Sequence, residues 1–307
     1  MKTLKLGMVG GGQGAFIGGV HRMASRLDGR WELVAGALSS HPARAEASAK
    51  ELGLDPKRSY QSYAEMAVQE AARADGIDAV AIVTPNHMHA GPAIAFLEAG
   101  IHVICDKPLA ATSEQAQLID AAVRASKAHF ILTHNYTGYP VIRQARKLVE
   151  NGELGEIRVI QAEYAQDWLS EVADNKQADW RVNPEKSGAG AIGDIGTHAL
   201  NLASFVSGLQ PQALCADLHS FVDGRRVDDN AHIMLRFEKG AKGMLWASQV
   251  AVGCENTLTL RIYGEKAGLE WQQENPNQLS FTRFGQAKQL LTRGGAGFGE
   301  KIGRAHV

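Results

Sequence analysis

Apolar positions in the first 133 residues fall into short runs separated by helix-length stretches of mixed polarity. Leu4–Val9 (LKLGMV), Trp31–Leu38 (WELVAGAL), Asp78–Val83 (DAVAIV), Ile101–Cys105 and His129–Thr133 read as strands. Phe16–Leu27, Pro42–Leu52, Tyr63–Ala74, Ala90–Ala99 and Ser113–Ala128 lie between them as helices, with Pro42 suited to a first turn and Ser113 to a cap. Repeated strand–helix units predict an N-terminal Rossmann domain over residues 1–133, a doubly wound parallel sheet whose ligands lie outside the carboxyl ends of its strands. From about His134 the pattern changes. One helix, Tyr139–Asn151, precedes longer strand-like segments, Ile157–Glu163, Ala231–Phe237, Gly243–Ser248 and Leu258–Tyr263, with hairpin turns at Gly240 and Gly264-Glu265. The chain is thus α/β overall. Residues 134–307 are expected to form a C-terminal α+β domain on a large, mostly antiparallel open sheet, which binds substrate and leaves one face to pair with a second copy as a homodimer or homotetramer.

Composition narrows the function classes. A net charge of −1 with 21% charged residues, well interspersed, offers no basic patch for nucleic acid. Cys105, Cys215 and Cys254 are odd in number and far apart, which suggests neither a disulfide framework nor a paired-cysteine metal site and fits a reducing cytoplasm. The N-terminus has no signal-like segment, and no apolar run approaches the roughly 18 residues of a membrane span. A soluble cytoplasmic protein without membrane partners is expected.

Gly10-Gly11-Gly12-Gln13-Gly14-Ala15-Phe16-Ile17 joins the first strand to the first helix, the setting in which a glycine loop cradles a dinucleotide. Gly10 is read as the tight turn, Gly12 as the point where the backbone approaches a pyrophosphate, and Ala15 as the third small position. Gln13 lies within the loop, and the N–H groups around Phe16 and Ile17 face the phosphates. The plainer alternative is a flexible turn. The second strand ends in Ser39-Ser40-His41-Pro42, without the carboxylate that holds the adenosine ribose in NAD sites, while Arg44 is within reach of a 2′-phosphate. Ser39 is placed at the cofactor, and NAD and NADP both stay open.

Thr84-Pro85-Asn86-His87-Met88-His89 ends another strand on the same sheet edge. Its two histidines lack a third ligand cluster, so the loop reads as polar contacts from Thr84, Pro85, Asn86 and His89 to a ribose, with no metal. Cys105-Asp106-Lys107-Pro108 brings Lys107 to a strand end, its backbone biased to be extended by the proline. There the ammonium can polarise a substrate oxygen, or the residue is a surface lysine before a proline-started helix. His134-Asn135-Tyr136 completes this rim.

In the second half, SGAGAIGDIGTH (Ser187–His198) leads through small residues to Asp194 and His198. Their spacing of four puts both on one face if Asp194–Phe205 is helical. An imidazole beside a carboxylate suits alcohol oxidation; a helix-start Asp and a buried His are the structural alternative. Trp180-Arg181, upstream, offers a guanidinium for a phosphate or a substrate hydroxyl.

The glycine loop, TPNHMH, DKP, HNYTGYP and GDIGTH, in this order and spacing, resemble the Gfo/Idh/MocA family of sugar, inositol and polyol dehydrogenases over almost the whole chain. The resemblance implies that Lys107, from an E-K-P motif, and Asp194 and His198, from a D-x-G-x-H motif, flank the substrate. It also inclines the cofactor toward NAD and implies hydride transfer at a secondary hydroxyl of a sugar or polyol. Asp106 stands where the family has glutamate, a shorter arm with the same charge. A non-catalytic sensor of sugar or dinucleotide is the alternative of the same fold, disfavoured by the presence together of Lys107, Asp194 and His198. Relatives of this kind continue past the glycines at 294–299 into a closing helix, so the chain is expected to be incomplete at its C-terminus. Ile302–Val307 back-translates to the opening of a sequencing adapter, which would put the natural end near Lys301.

Overall fold

The computed structural model describes residues 3–172 and 176–294. The expected foreign tail lies outside the described residues. The described residues divide into two compact units: those up to Thr133 with Glu185–Gly188, and those from His134 to Pro184 with those from Ala189 on.

The first unit is a five-stranded sheet in the order β2-β1-β3-β4-β5, all parallel: β1 is Leu4–Gly10, β2 Trp31–Ala37, β3 Ala79–Val83, β4 His102–Cys105 and β5 Phe130–Leu132. Alternate residues bury on opposite faces. Val9, Val80, Ile82 and Val103 pack with Met66, Phe96 and Ile119 of the helices Tyr63–Ala72, Ala90–Glu98 and Ser113–Ala125. Leu6, Met8, Ala81 and Val83 pack with Ile17 and Ala49 of the helices Phe16–Arg26 and Pro42–Glu51. Because β2 and β3 flank β1, the strand order reverses between β1 and β3. The ends at Gly10 and Val83 therefore border the crevice in which such sheets bind ligands.

The second unit holds an eight-stranded sheet in the order β13-β12-β11-β10-β6-β9-β8-β7. Its strands are β6 Ile157–Ala165, β7 Pro211–His219, β8 Asn230–Phe237, β9 Lys242–Ser248, β10 Thr257–Gly264, β11 Ala267–Gln272, β12 Gln278–Arg283 and β13 Gln289–Thr292. All neighbours are antiparallel except β6 and β9. The helices Pro140–Glu150 and Thr197–Ser207 cover one face, burying Ile142, Ala145, Leu202 and Val206 against Ile160, Leu245 and Leu260. The apolar alternation of β8 points inward: Ala231, Ile233, Leu235 and Phe237 are buried, while His232, Met234 and Arg236 face out. On β8 the open face thus carries Met234 between the polar His232 and Arg236.

The helix expected over Asp194–Phe205 is also corrected. Ile192–Gly196 forms a π-turn and the α-helix begins at Thr197, so Asp194 and His198 are not one α-helical turn apart. Among the described residues no helix is long and apolar enough to cross a membrane.

Candidate functional site

In the first unit the chain leaves β1 through Gly10 and Gly11 at φ of +79° and +73°, and Gly14 lies at +74°. A side chain is strained in that region. Gly12 is confined by the protein itself. A Cβ there would lie 2.7 Å from Ser48 Oγ and 2.8 Å from Leu38 O, so it would strike the helix Pro42–Glu51 and the residue after β2. Ala15 does not make the close approach expected of the third small position. It is the N-cap of the helix Phe16–Arg26, and the close approach belongs to Gly18, whose Cβ would meet Gly11 Cα at 2.5 Å.

The loop N–H groups can be followed one by one. Gly12 donates to Leu38 O (3.3 Å) and Ala15 to Gly12 O (3.0 Å), and Gln13 donates to Ser48 Oγ (3.0 Å). The helix start has no side-chain cap and no acidic residue in its first turn. The first-turn N–H groups thus have no side-chain cap at the N-cap, an arrangement suited to an anion. A cavity of about 320 Å³ borders Gly11–Phe16, Arg22, Ser48 and Glu51, and Arg22 Nη1 donates to Gly11 O at 2.7 Å.

The other expected contacts divide into outward and inward. Asp106 Oδ1 faces His21 Nε2 at 3.1 Å and accepts from Thr133 Oγ1 at 2.8 Å. One carboxylate thereby ties the end of β4 to the helix Phe16–Arg26 and to the end of β5. Lys107, half-buried, is the next residue, joined to Pro108 by a cis peptide. No helix starts at Pro108; the next begins at Ser113, with Thr112 Oγ1 accepting from Gln115 N–H. Thr84 Oγ1 donates to Met88 O (3.2 Å) and Ser39 Oγ accepts from His41 N–H (3.1 Å).

Asn86 and His89 do not fit ribose contacts. Asn86 is buried and its Nδ2 donates to Ser187 O at 2.9 Å, holding the segment Glu185–Gly188 in this unit. His89 has no exposure, and its ring lies between Thr84 O (2.8 Å) and Pro108 O (2.9 Å). Burial holds its pKa below the ordinary histidine range, partly opposed by those carbonyls.

In the second unit Asp194 Oδ2 receives Arg181 Nε at 3.2 Å and Gln249 Nε2 at 2.9 Å. The guanidinium lies over the rings of Trp180 (4.4 Å) and Trp168 (5.9 Å). His198 is buried, edge-on to Tyr136 at 4.9 Å and to His134 at 5.4 Å. Tyr136 and Tyr164 share a hydroxyl contact of 2.6 Å, and Tyr164 donates to Asn256 Oδ1 at 2.7 Å. Burial pushes the Tyr164 phenol far above its usual range, so it remains a donor. Asn135 is exposed at the start of the turn Asn135–Gly138.

The small-residue run is ordered by a group the sequence reading passed over. Asp228 accepts from Gly190 N–H (2.8 Å) and Ile192 N–H (2.7 Å), and its own carbonyl accepts from Ala191 N–H (2.8 Å). His21, Arg22, Ser48, Gln249 and Asn256 were missed in the same way. Only the Gly18-Gly19 pair, unfavourable inside a helix, carried a readable signal, that of close backbone approach.

Residues 4–136 match the model of the oxidoreductase family with NAD-binding Rossmann fold, and residues 142–270 match the GFO/IDH/MocA C-terminal domain. The chain belongs to the Gfo/Idh/MocA family of NAD-dependent oxidoreductases. It is similar to a crystal structure of an oxidoreductase from Sinorhizobium meliloti, at 56% identity over 98% of this chain and 80% of that one, with a TM-score of 0.90. An inositol dehydrogenase homolog from Azotobacter vinelandii, solved with NAD+, is 38% identical over 100% of this chain and 82% of that one, with a TM-score of 0.93. Levoglucosan dehydrogenase of Pseudarthrobacter phenanthrenivorans is 31% identical over 91% of this chain and 76% of its own length.

Proposed function

We propose that the protein moves a hydride between NAD and a secondary hydroxyl, or the corresponding ketone, of a sugar, inositol or related polyol. One observation carries the reading: Asp106 ties the Lys107 strand end to the helix whose uncapped start borders the sheet's switch point. A dinucleotide pyrophosphate fits that start, since no side chain caps it and the glycine turn brings the backbone close. When bound, NAD supplies the hydride acceptor. The first unit is read as the cofactor domain and the second as the substrate domain.

Lys107 is assigned the stabilisation of the alkoxide, and His198 the acceptance of the hydroxyl proton. Asp194, its carboxylate aimed by Arg181 and Gln249, orients the substrate. The substrate class follows from relatives, one of them an inositol dehydrogenase homolog solved with NADH and myo-inositol. Self-association is assigned to the outward sheet face, where Met234 pairs across strands with Met244, and His232 stacks on Trp246.

A panel containing myo-inositol, levoglucosan and common aldoses, followed at the nicotinamide absorbance with NAD and NADP, tests the reading. Lys107→Ala and His198→Ala should each lower turnover about a hundredfold while NADH still binds. Tight NADH binding with no turnover of any panel member would favour the sensor.

A further inference from the structure

We propose that Ser48 is a positioning residue of the dinucleotide site, acting through the glycine loop without touching the cofactor. The proposal rests on reading that loop as the cofactor site. Between Gly12 and the helix start the loop carries three residues, Gln13-Gly14-Ala15, two of them with little or no side chain. A stretch of that kind has many conformations, and a helix start serves a phosphate well only if the chain leading into it is held.

Ser48 supplies the hold from the helix Pro42–Glu51. It is 1% exposed, and its hydroxyl donates to Arg44 O at 2.7 Å. A serine inside a helix commonly makes that backward bond and nothing more. Here the proton is committed to Arg44, so toward the loop the oxygen acts only as an acceptor, and it takes the Gln13 N–H at 3.0 Å. The same oxygen is the atom a Gly12 Cβ would strike at 2.7 Å. One hydroxyl therefore draws the loop in at Gln13 and limits its approach at Gly12.

Two further contacts brace the loop. Gln13 Nε2 donates to Glu51 Oε2 at 2.9 Å, and Arg22 holds Gly11 O. The Gln13–Glu51 bond is exposed, so water competes with it. The Ser48 side chain is buried, so water competes less for its oxygen. Of the two contacts at Gln13, the hydroxyl is thus the one whose loss should free the loop more.

Ser48→Ala removes the acceptor and keeps the helix, since alanine is the better helix former. Affinities for NADH and for ADP-ribose would be measured by calorimetric titration, along with amide exchange at Gln13 in the ligand-free protein. Both dissociation constants should rise about three- to tenfold, the worth of one buried hydrogen bond, with the melting temperature unchanged or slightly higher and the Gln13 amide deprotected. Ala49→Gly, which weakens the same helix away from the loop, should lower the melting temperature and leave both constants within about twofold. Wild-type constants in Ser48→Ala, or a loss no larger than in Ala49→Gly, would overturn the proposal. Failure of the wild-type protein to bind NADH would instead sink the cofactor reading, and Gln13 exchange would still decide whether Ser48 holds the loop.

Discussion

His89 sits in a motif that looks made for a ligand, yet its ring is closed between two backbone carbonyls, where it joins the TPNHMH loop to the residue after Lys107. Burial lowers its folded-state pKa. The unfolded chain therefore takes up a proton below pH ~6.5 while the folded protein resists it, and stability should fall as pH drops below that value. The melting temperature of the wild type should decline between pH 7.5 and 5.5, and that of His89→Gln should decline less; equal slopes would assign the effect to other groups. Gly12 makes a second prediction at this scale. Gly12→Ala puts a Cβ against Ser48 Oγ and Leu38 O, so it should cost about 1–3 kcal/mol of stability in urea unfolding, the usual price of overpacking, as well as weaken NADH binding. A variant of native stability would show that the loop shifts freely. Neither environment was legible in the sequence, because a pattern of residue types does not say which way a Cβ or an imidazole points.

At the scale of elements, the run from Gly188 to Gly193 becomes an ordered support for Asp194 and His198 only because Asp228 takes two of its N–H groups. Such charge-assisted bonds are strong. Asp228→Ala should lower stability by about 2–4 kcal/mol and lower turnover too, whereas Asp228→Asn, retaining one acceptor oxygen, should lose less of each. Turnover preserved in a destabilised Asp228→Ala would separate this support from the chemistry. Element positions in the first unit were legible to within a few residues, since short apolar runs such as DAVAIV and helix-length stretches of mixed polarity between them are local patterns. In the second unit β7 and β11–β13 were not assigned. β7 is an edge strand exposed along most of its length, so no buried face imposes alternation on it. The π-turn at Ile192–Gly196 was equally hidden, for its extra residue per turn has no residue-type signature.

At the scale of the whole chain, the outward face of the eight-stranded sheet is the surface assigned to self-association. Met234 and Met244 lie side by side there, with Arg236 and Lys242 as the next pair along that face. A mixed face of this kind suits a second copy better than a lipid surface or a core. Sedimentation at micromolar concentration should show a dimer or tetramer, and Met234→Glu, a charge at the centre of the face, should shift it toward monomer without lowering the melting temperature of the dissociated chain. A wild-type monomer would remove the assignment.

The sequence by itself determined the class of each half, the order of the motifs and the family, because alternation, helix periodicity and glycine placement are properties of neighbours along the chain. It also marked Lys107, Asp194 and His198 by residue type and spacing. Tertiary structure alone decided how they are held: Asp106 by His21 85 residues away, Asp194 by Gln249 55 residues away, and the glycine loop by Ser48 35 residues beyond Gln13. Such contacts form only when the sheet and helices have packed. The polar residues that make them are common types with no period of their own, so nothing local distinguishes them from residues that face water.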